Sequence, residues 1–309
     1  MKYAVIADIH GNLPALLAVM QDAERQGVDH YLFGGDYYAD LPYPNEVAET
    51  LAGLTQATFI RGNKEDYLLT LEQQDQATWT HEQMAALYWN YRTLTPANRQ
   101  FLTSLPEELT LTEEDGSPIQ LFHSSKHLFA DTHIDDITSR AFALRMREKP
   151  FDHSDYLSWV TEWLRADERL VGRVGALPAG VYLFGHTHVQ WHARLGQSLL
   201  VNPGSCGLPL DGNPAAPYTL LTFQASGWVV EERRVAYDHE ETIRQLEQSD
   251  LYREAEIWSK LIIQQLRTAE EQVGFFLKEA EQVARERSSS HRPYTNDIWR
   301  AAARKWFGE

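Results

Sequence analysis

Short apolar runs, each closed by polar residues, set the rhythm of the first two thirds of the chain. Tyr3-Ala4-Val5-Ile6-Ala7 ends in Asp8-Ile9-His10-Gly11-Asn12. Tyr31-Leu32-Phe33 ends in Gly34-Gly35-Asp36, and Ala57 to Ile60 ends in Arg61-Gly62-Asn63-Lys64-Glu65. Runs this short, bounded by glycine and asparagine, predict buried strands. Between the first two, Leu13, Leu16, Leu17 and Met20 recur at helical spacing behind Asn12, a good N-cap, and Pro14 in the first turn. A second helix is predicted from Pro44 to about Leu54. Three strand–helix units, each ending in polar residues at one edge, predict a parallel or mostly parallel α/β sheet.

The pattern then changes. Leu68 to Leu105 reads as helical, with Trp79, Leu87, Trp89, Tyr91, Phe101 and Leu102 as packing residues. Leu109 to Leu111 and Ile119 to Phe122 predict a hairpin around Asp115-Gly116, ending at His123-Ser124. Within Lys126 to Ala176, helices are expected over Ile137 to Arg147 and Tyr156 to Leu170, parted near Pro150. Lys126, His127, His133 and His153 in this stretch could each touch substrate, but scattered histidines in polar loops read as solvated. Val181-Tyr182-Leu183-Phe184 is a further buried strand, closed by Gly185-His186-Thr187-His188. Leu199-Leu200-Val201 runs into the tight turn Asn202-Pro203-Gly204-Ser205. Tyr218 to Phe223 and Trp228 to Val235 predict a hairpin through Ala225-Ser226-Gly227. After Asp238 the composition becomes charged and helical, with Ile243, Leu246, Ile257, Leu261, Leu266 and Phe276 in an apolar stripe. The expected division is therefore a catalytic domain over 1–238 and a helical extension over 239–309. The stripe would pack on the main domain or on a second copy, so a homo-oligomer through these helices is allowed.

Composition narrows the function classes. The 309 residues are 43% hydrophobic and 23% charged, ordinary for a globular protein. A formal net charge of −16 argues against nucleic-acid polymers and anionic membranes as partners, since both need basic surface. It leaves room for a small phosphorylated substrate, because bound metal ions reverse the local field. No apolar run is long enough to span a bilayer, and Met1-Lys2-Tyr3 enters a strand directly, so a cytoplasmic location is expected. Cys206 is the sole cysteine, which excludes an internal disulfide and a multi-thiolate zinc site.

Collecting the strand ends gives Asp8, His10, Asp36, Asn63, His123, His186 and His188. Open α/β sheets bind ligands at this edge. Residues two apart in a strand share a side, so Asp8 with His10, and His186 with His188, are expected to face one ligand. Carboxylate oxygen with imidazole nitrogen suits borderline divalent ions such as manganese, iron, nickel or zinc. A central carboxylate can bridge two cations about 3.5–4 Å apart that grip a phosphoryl group. The neutral amide of Asn63 and the imidazoles leave such a centre net positive.

Asp-x-His-Gly-Asn, Gly-Asp, Arg-Gly-Asn, His-Ser and Gly-His-Thr-His, in this order, resemble the calcineurin-like metallophosphoesterase superfamily. The resemblance runs from the N-terminus to about residue 235. Pro44-Asn45-Glu46-Val47 and the Asn-Pro-Gly-Ser turn look like its small bacterial branch. It implies a four-layer α/β/β/α sandwich with two sheets. It also implies a metal-dependent phosphoric ester hydrolase with two divalent ions. Manganese or iron is favoured because histidine nitrogens dominate, with zinc, nickel or magnesium as alternatives. Carried over residue by residue, Asp8, His10, Asp36 and His188 would hold one ion. Asp36, Asn63, His123 and His186 would hold the other, with Asp36 bridging. A hydroxide between the ions would then attack phosphorus in line. The implied catalytic residues are Asp36, Asn63, His123 and, at a departure from the pattern, Lys64.

Many members carry a histidine general acid directly after the Asn63 position. A lysine with an ordinary pKa of ~10.4 holds its proton too firmly for that role, so Lys64 is expected to be an electrostatic contact to phosphate. That would favour a good leaving group such as a nucleotide phosphate. Two further departures are Leu210, where relatives often carry arginine, and Ser124-Ser125, where Gly-Ser is usual. The charged tail after Val235 to Asp238 is similar to that of bacterial diadenosine tetraphosphate hydrolases, which makes a dinucleoside polyphosphate the leading substrate expectation. Tyr37, Tyr38, Phe129 and Trp191 are candidates for a base-stacking wall. The rival readings are a protein serine/threonine phosphatase, a general phosphodiesterase, and a metal-dependent binding scaffold.

Overall fold

The runs around Val5, Tyr182 and Leu200 become strands buried on both faces, which is why they read as nearly continuous rather than alternating. The computed structural model describes residues 1–308 apart from 114–115, 149–151 and 225–226, together with the side chains at 137, 140 and 153. The predicted turns at Asp115 and Ala225-Ser226, and the break at Pro150, therefore lie outside the described residues.

The strands are β1 (Lys2–Ile6), β2 (His30–Phe33), β3 (Ala57–Phe59), β4 (Glu108–Thr112), β5 (Pro118–Phe122), β6 (Val181–Leu183), β7 (Gln190–Leu195), β8 (Ser198–Pro203), β9 (Ala216–Gln224) and β10 (Gly227–Val235). Among the described residues they form two five-stranded sheets, ordered β10-β9-β1-β2-β3 and β4-β5-β6-β8-β7. The sheet expectation needs correcting at the edges. β1, β2 and β3 are parallel, as are β5, β6 and β8. β9 lies antiparallel to β1, and β4 and β7 are antiparallel to their neighbours, so both sheets are mixed. β7 is not among the predicted elements, although Trp191, Ala193 and Leu195 alternate inward along it.

Three apolar clusters give the layers. Val5, Leu32, Leu121, Val181 and Val201 meet between the sheets. Ile6, Phe33 and Tyr218 point to the other face of the first sheet, against Leu16 and Val19 of α1 (Leu13–Arg25). Tyr182 and Leu200 point away from the second sheet, against Tyr156 and Val160 of the helix His153–Ala166. The result is the expected α/β/β/α sandwich, with helical elements continuing after it.

The apolar stripe of the later helices is spent inside the chain. Leu246, Ile262 and Leu266 pack on Leu41, Trp89 and Leu208 of the preceding sequence. Phe276, Trp299 and Ala302 pack the last helices on one another. Among the described residues, no helix is long and apolar enough to cross a membrane.

The loop after β8 is threaded through the loop after β1. Gly207 N–H donates to Asp8 O at 3.1 Å, and Asn12 Nδ2 donates to Gly207 O at 2.8 Å. A Cβ on Gly207 would stand 1.9 Å from Ile9 O, a backbone atom that cannot swing aside. Gly207→Ala is therefore expected to cost about 3 kcal/mol. Urea unfolding followed by circular dichroism should show the midpoint fall. An unchanged midpoint would contradict this account of the loop.

Candidate active site

The polar residues lie past the strand ends, not in the strands. β1 stops at Ile6 and β6 at Leu183. Asp8 with His10, and His186 with His188, are neighbours as expected, but strand geometry is not what brings them together. Their side chains converge because alternate residues take left-handed backbone: φ is 54° at Asp8, 53° at His10, 69° at His186 and 61° at His188. Asp36 has φ 55°. Such values are uncommon for residues with a Cβ and cluster at functional sites.

Backbone bonds hold this shape. Asp8 N–H donates to Gly35 O (3.0 Å), His10 N–H to Asp36 O (3.0 Å) and Gly11 N–H to Tyr37 O (2.9 Å), zipping the first two loops together beyond their strands. Buried Glu65 clamps the second loop to the third. It accepts from the backbone of Asp36 (3.0 Å), Tyr37 (3.0 Å) and Gly62 (2.8 Å). A Cβ on Gly62 would meet Asp36 Oδ1 at 2.2 Å, so a side chain there would displace the carboxylate. From the second sheet, Gly185 N–H donates to His123 O (2.8 Å) and His186 N–H to Asp8 Oδ2 (3.0 Å).

All seven predicted donors meet in one cluster. His188 Nε2 lies 3.0 Å from His10 Nε2 and 3.6 Å from Asp8 Oδ1. Asn63 Oδ1 lies 3.0 Å from His123 Nε2 and 2.9 Å from His186 Nδ1. Asp36 sits between the two groups, 3.4 Å from His123 Nε2 and 3.9 Å from His10 Nε2. Asp8, His10 and His188 can together hold a metal ion, as can Asp8, Asp36 and His123.

The far side of each ring has its own partner. His10 Nδ1 faces Asp40 Oδ2 at 2.7 Å, His123 Nδ1 faces Gly34 O at 2.8 Å, and His188 Nδ1 faces Leu208 O at 2.9 Å. Gly34 O and Leu208 O accept from the outer nitrogens of His123 and His188 and turn each Nε2 inward, as in metal-binding histidines, while His10 Nδ1 stands beside Asp40 as an ion-pair contact. His10 Nε2 and His188 Nε2 face each other across 3.0 Å, close enough to share a proton or to hold one cation together with Asp8. The donor set thus fits divalent cations.

Charge tells the same story. Burial, with Asp36 nearby, pushes the Asp8 carboxyl up to about 7 despite His123 and His10. Burial would also raise Asp36 and lower His123, but each outweighs that for the other. Asp36 is held well below the usual carboxylate range, and His123 rises to about 10. Burial and then His10 keep His188 neutral. Divalent cations bound here would replace protons that the acids and His123 otherwise share.

The cluster floors a cavity of about 330 Å³. Lys64 and Lys126 bring ammonium groups to it, and Leu210, Trp258, Ile262 and Leu277 give it apolar walls. Burial would lower the Lys64 pKa, but Asp40, 3.4 Å from its Nζ, and Asp36 raise it, so it stays a cation. The candidate stacking wall is corrected. Tyr37, Tyr38, Phe129 and Trp191 are all at most 1% exposed and fill the core instead. Trp258 is the aromatic side chain that reaches the cavity. Lys126 is exposed, as expected, and also lines the cavity. His127 and His133 are exposed, as expected, and the His153 side chain lies outside the described residues. Ser124 and Ser125, the departure after His123, both donate to Asp135 (2.7 and 2.5 Å), which anchors the His123 loop.

Four residues escape the sequence reading. Glu65 had a local signal, an acid at the third position of the helix Asn63–Glu72, where it can reach back to the preceding turn. Asp40 had a weaker one, a charge between Ala39 and Leu41. Asp135, ten and eleven residues beyond the serines it binds, had none, and neither had Trp258, which acts across 218 residues.

The calcineurin-like phosphoesterase superfamily domain matches residues 1–226, and the chain belongs to that superfamily. It is 27% identical over 244 residues to an uncharacterised protein of Methanocaldococcus jannaschii, across 76% of this chain and 87% of that protein. Its fold is similar to that of a metallophosphoesterase from Sphaerobacter thermophilus, with TM-score 0.60 and 23% identity over 87% of this chain and 99% of the other. A hypothetical protein from Pyrococcus horikoshii gives TM-score 0.57 and 21% identity over 84% and 97%. The chain is thus a phosphoesterase, from a family that implies divalent metal ions.

The Glu65 clamp is directly testable. Glu65→Gln turns an amide N–H₂ toward backbone N–H donors and should cost about 2–3 kcal/mol. Differential scanning calorimetry should show a lowered Tm, and an unaltered Tm would mean the three bonds do not hold the loops.

Proposed function

We propose that the chain hydrolyses small phosphoesters with two divalent cations, and that nucleotide phosphates, dinucleoside polyphosphates among them, are its substrate class. The observation that carries this reading is the cavity. A carboxylate–imidazole floor suited to cations adjoins two ammonium groups and an apolar wall within about 330 Å³. That volume and mix of surfaces suits a phosphate attached to a compact organic group. The helices that supply Trp258, Ile262 and Leu277 wall one side of the cavity.

Asp8, His10, Asp36 and His188 would hold one cation and Asp36, Asn63, His123 and His186 the other. Manganese or iron suits this nitrogen-rich set better than magnesium. When bound, the cations supply a nucleophile at neutral pH and charge stabilisation for the phosphoryl oxygens. The sandwich of 1–238 forms the catalytic domain, and 239–309 covers one side of its cavity. Lys64 places a fixed positive charge at the cavity edge for a phosphate oxygen. Its raised pKa keeps its proton from the leaving group. Substrates whose leaving oxygen needs no proton, such as phosphoanhydrides, are therefore favoured over alkyl esters.

Two measurements test this. With manganese, a dinucleoside polyphosphate should be turned over faster than a phosphopeptide or bis-p-nitrophenyl phosphate, and Asp36→Asn should lower kcat/KM by about 10³-fold. A preference for the phosphopeptide would indicate a protein phosphatase, and bound metal without turnover on any phosphoester would indicate a scaffold. Lys64→Ala should lower kcat/KM by about 10²-fold. Full activity of that variant on every substrate would end the electrostatic role.

A further inference from the structure

Asp40 is a buried carboxylate with partners on three sides. His10 Nδ1 lies 2.7 Å from Oδ2, and Lys64 Nζ lies 3.4 Å from the same oxygen. The remaining oxygen, Oδ1, accepts the indole N–H of Trp258 at 2.6 Å. Trp258 is 218 residues away in sequence, on the helix Glu256–Thr268. That helix is seated beside the same loop, because Ile262 and Leu266 pack on Leu41, next to Asp40, and on Leu208. Leu208 O is the atom that holds His188 Nδ1.

We propose that Trp258 is a positioning residue of the metal centre. Through Asp40 it sets the ring orientation of His10 and the place of the Lys64 ammonium, which makes the C-terminal helices part of the site. This rests on the reading of the cluster as a cation site. A carboxylate that is 3% exposed needs every lone pair met. With the indole N–H in place, Oδ1 is fixed and Oδ2 is turned to His10 and Lys64. Without it, Oδ1 has no donor, and the carboxylate can rotate toward Lys64 and loosen its hold on His10. Carboxylates that hold a ligand histidine by its outer nitrogen orient the ring and raise its basicity.

The test is calorimetric titration of the full chain with manganese. Trp258→Phe keeps an aromatic ring and removes the N–H. It should weaken manganese binding about tenfold, the lower end of the range for such outer partners. Asp40→Asn should weaken it at least as much, and the double variant should show no further loss, since both act through one chain of contacts. Trp299→Phe serves as the packing control. Trp299 stacks beside Trp258, with ring centres 6.5 Å apart, but does not reach Asp40. It should lower Tm and leave manganese affinity unchanged. Wild-type affinity in a folded Trp258→Phe protein would overturn the inference, as would an equal loss in Trp299→Phe. A wild-type chain that binds no manganese would overturn the metal reading itself.

Discussion

Groups that repel one another are held together here by backbone that resists adopting their conformation. Asp8, His10, Asp36, His186 and His188 all have left-handed φ. Each such residue costs roughly 1–3 kcal/mol. The sum is comparable with the whole net stability of an ordinary domain, about 5–15 kcal/mol. Acids at Asp8, Asp36, Asp40 and Glu65 are buried in the same region. The site is therefore a local loss that the rest of the fold offsets.

Two features make the offset possible. The sandwich core between the sheets ends directly beneath the loops, so β1 and β6 deliver Asp8 and His186 from opposite sheets to one place. The loops are then cross-tied by buried polar groups that would be expensive to leave unpaired. Asn12 joins the first loop to Gly207, Glu65 joins the second to the third, and Asn202 holds Gly185 O at 2.8 Å. Once these bonds form, relaxing any one left-handed residue would break several of them. Strain and hydrogen bonding are locked to each other.

Strand ends were legible in the sequence because local signals coincide there: an apolar run stops and a chemically useful residue comes next, directly at Asp8 and His123 and after a glycine at Asp36, Asn63 and His186. The layers were legible because double burial leaves no alternation. The edge strands were less so. β9 and β10 read as a hairpin, yet nothing local says that β9 pairs antiparallel with β1. The mechanism of convergence at Asp8 and His10 was also invisible, since period-two geometry and alternate left-handed residues place the same side chains together. The supports of the cluster were hardest of all. Trp258 looks like one more member of an apolar helix stripe, and its N–H matters only because Asp40 lies opposite it in space. Tyr37 and Tyr38 misled in the other direction: position beside Asp36 suggested a wall, while their 0% exposure makes them core.

Lys64 and Asp40 make best sense as one unit. A carboxylate behind His10 strengthens that imidazole as a ligand but also adds negative charge beside a site meant to attract phosphate. A lysine beside that carboxylate cancels the addition, so the pair is neutral as a whole and the pull of bound cations on the substrate is undiminished. The same closeness has a consequence for chemistry. Asp40 and Asp36 hold the ammonium protonated against the penalty of burial, which under the proposed function makes Lys64 a poor proton donor to a leaving oxygen. A site built this way gives up general acid assistance and keeps charge. Under the proposed function, phosphoanhydride leaving groups, already stable as anions, would lose least by that exchange.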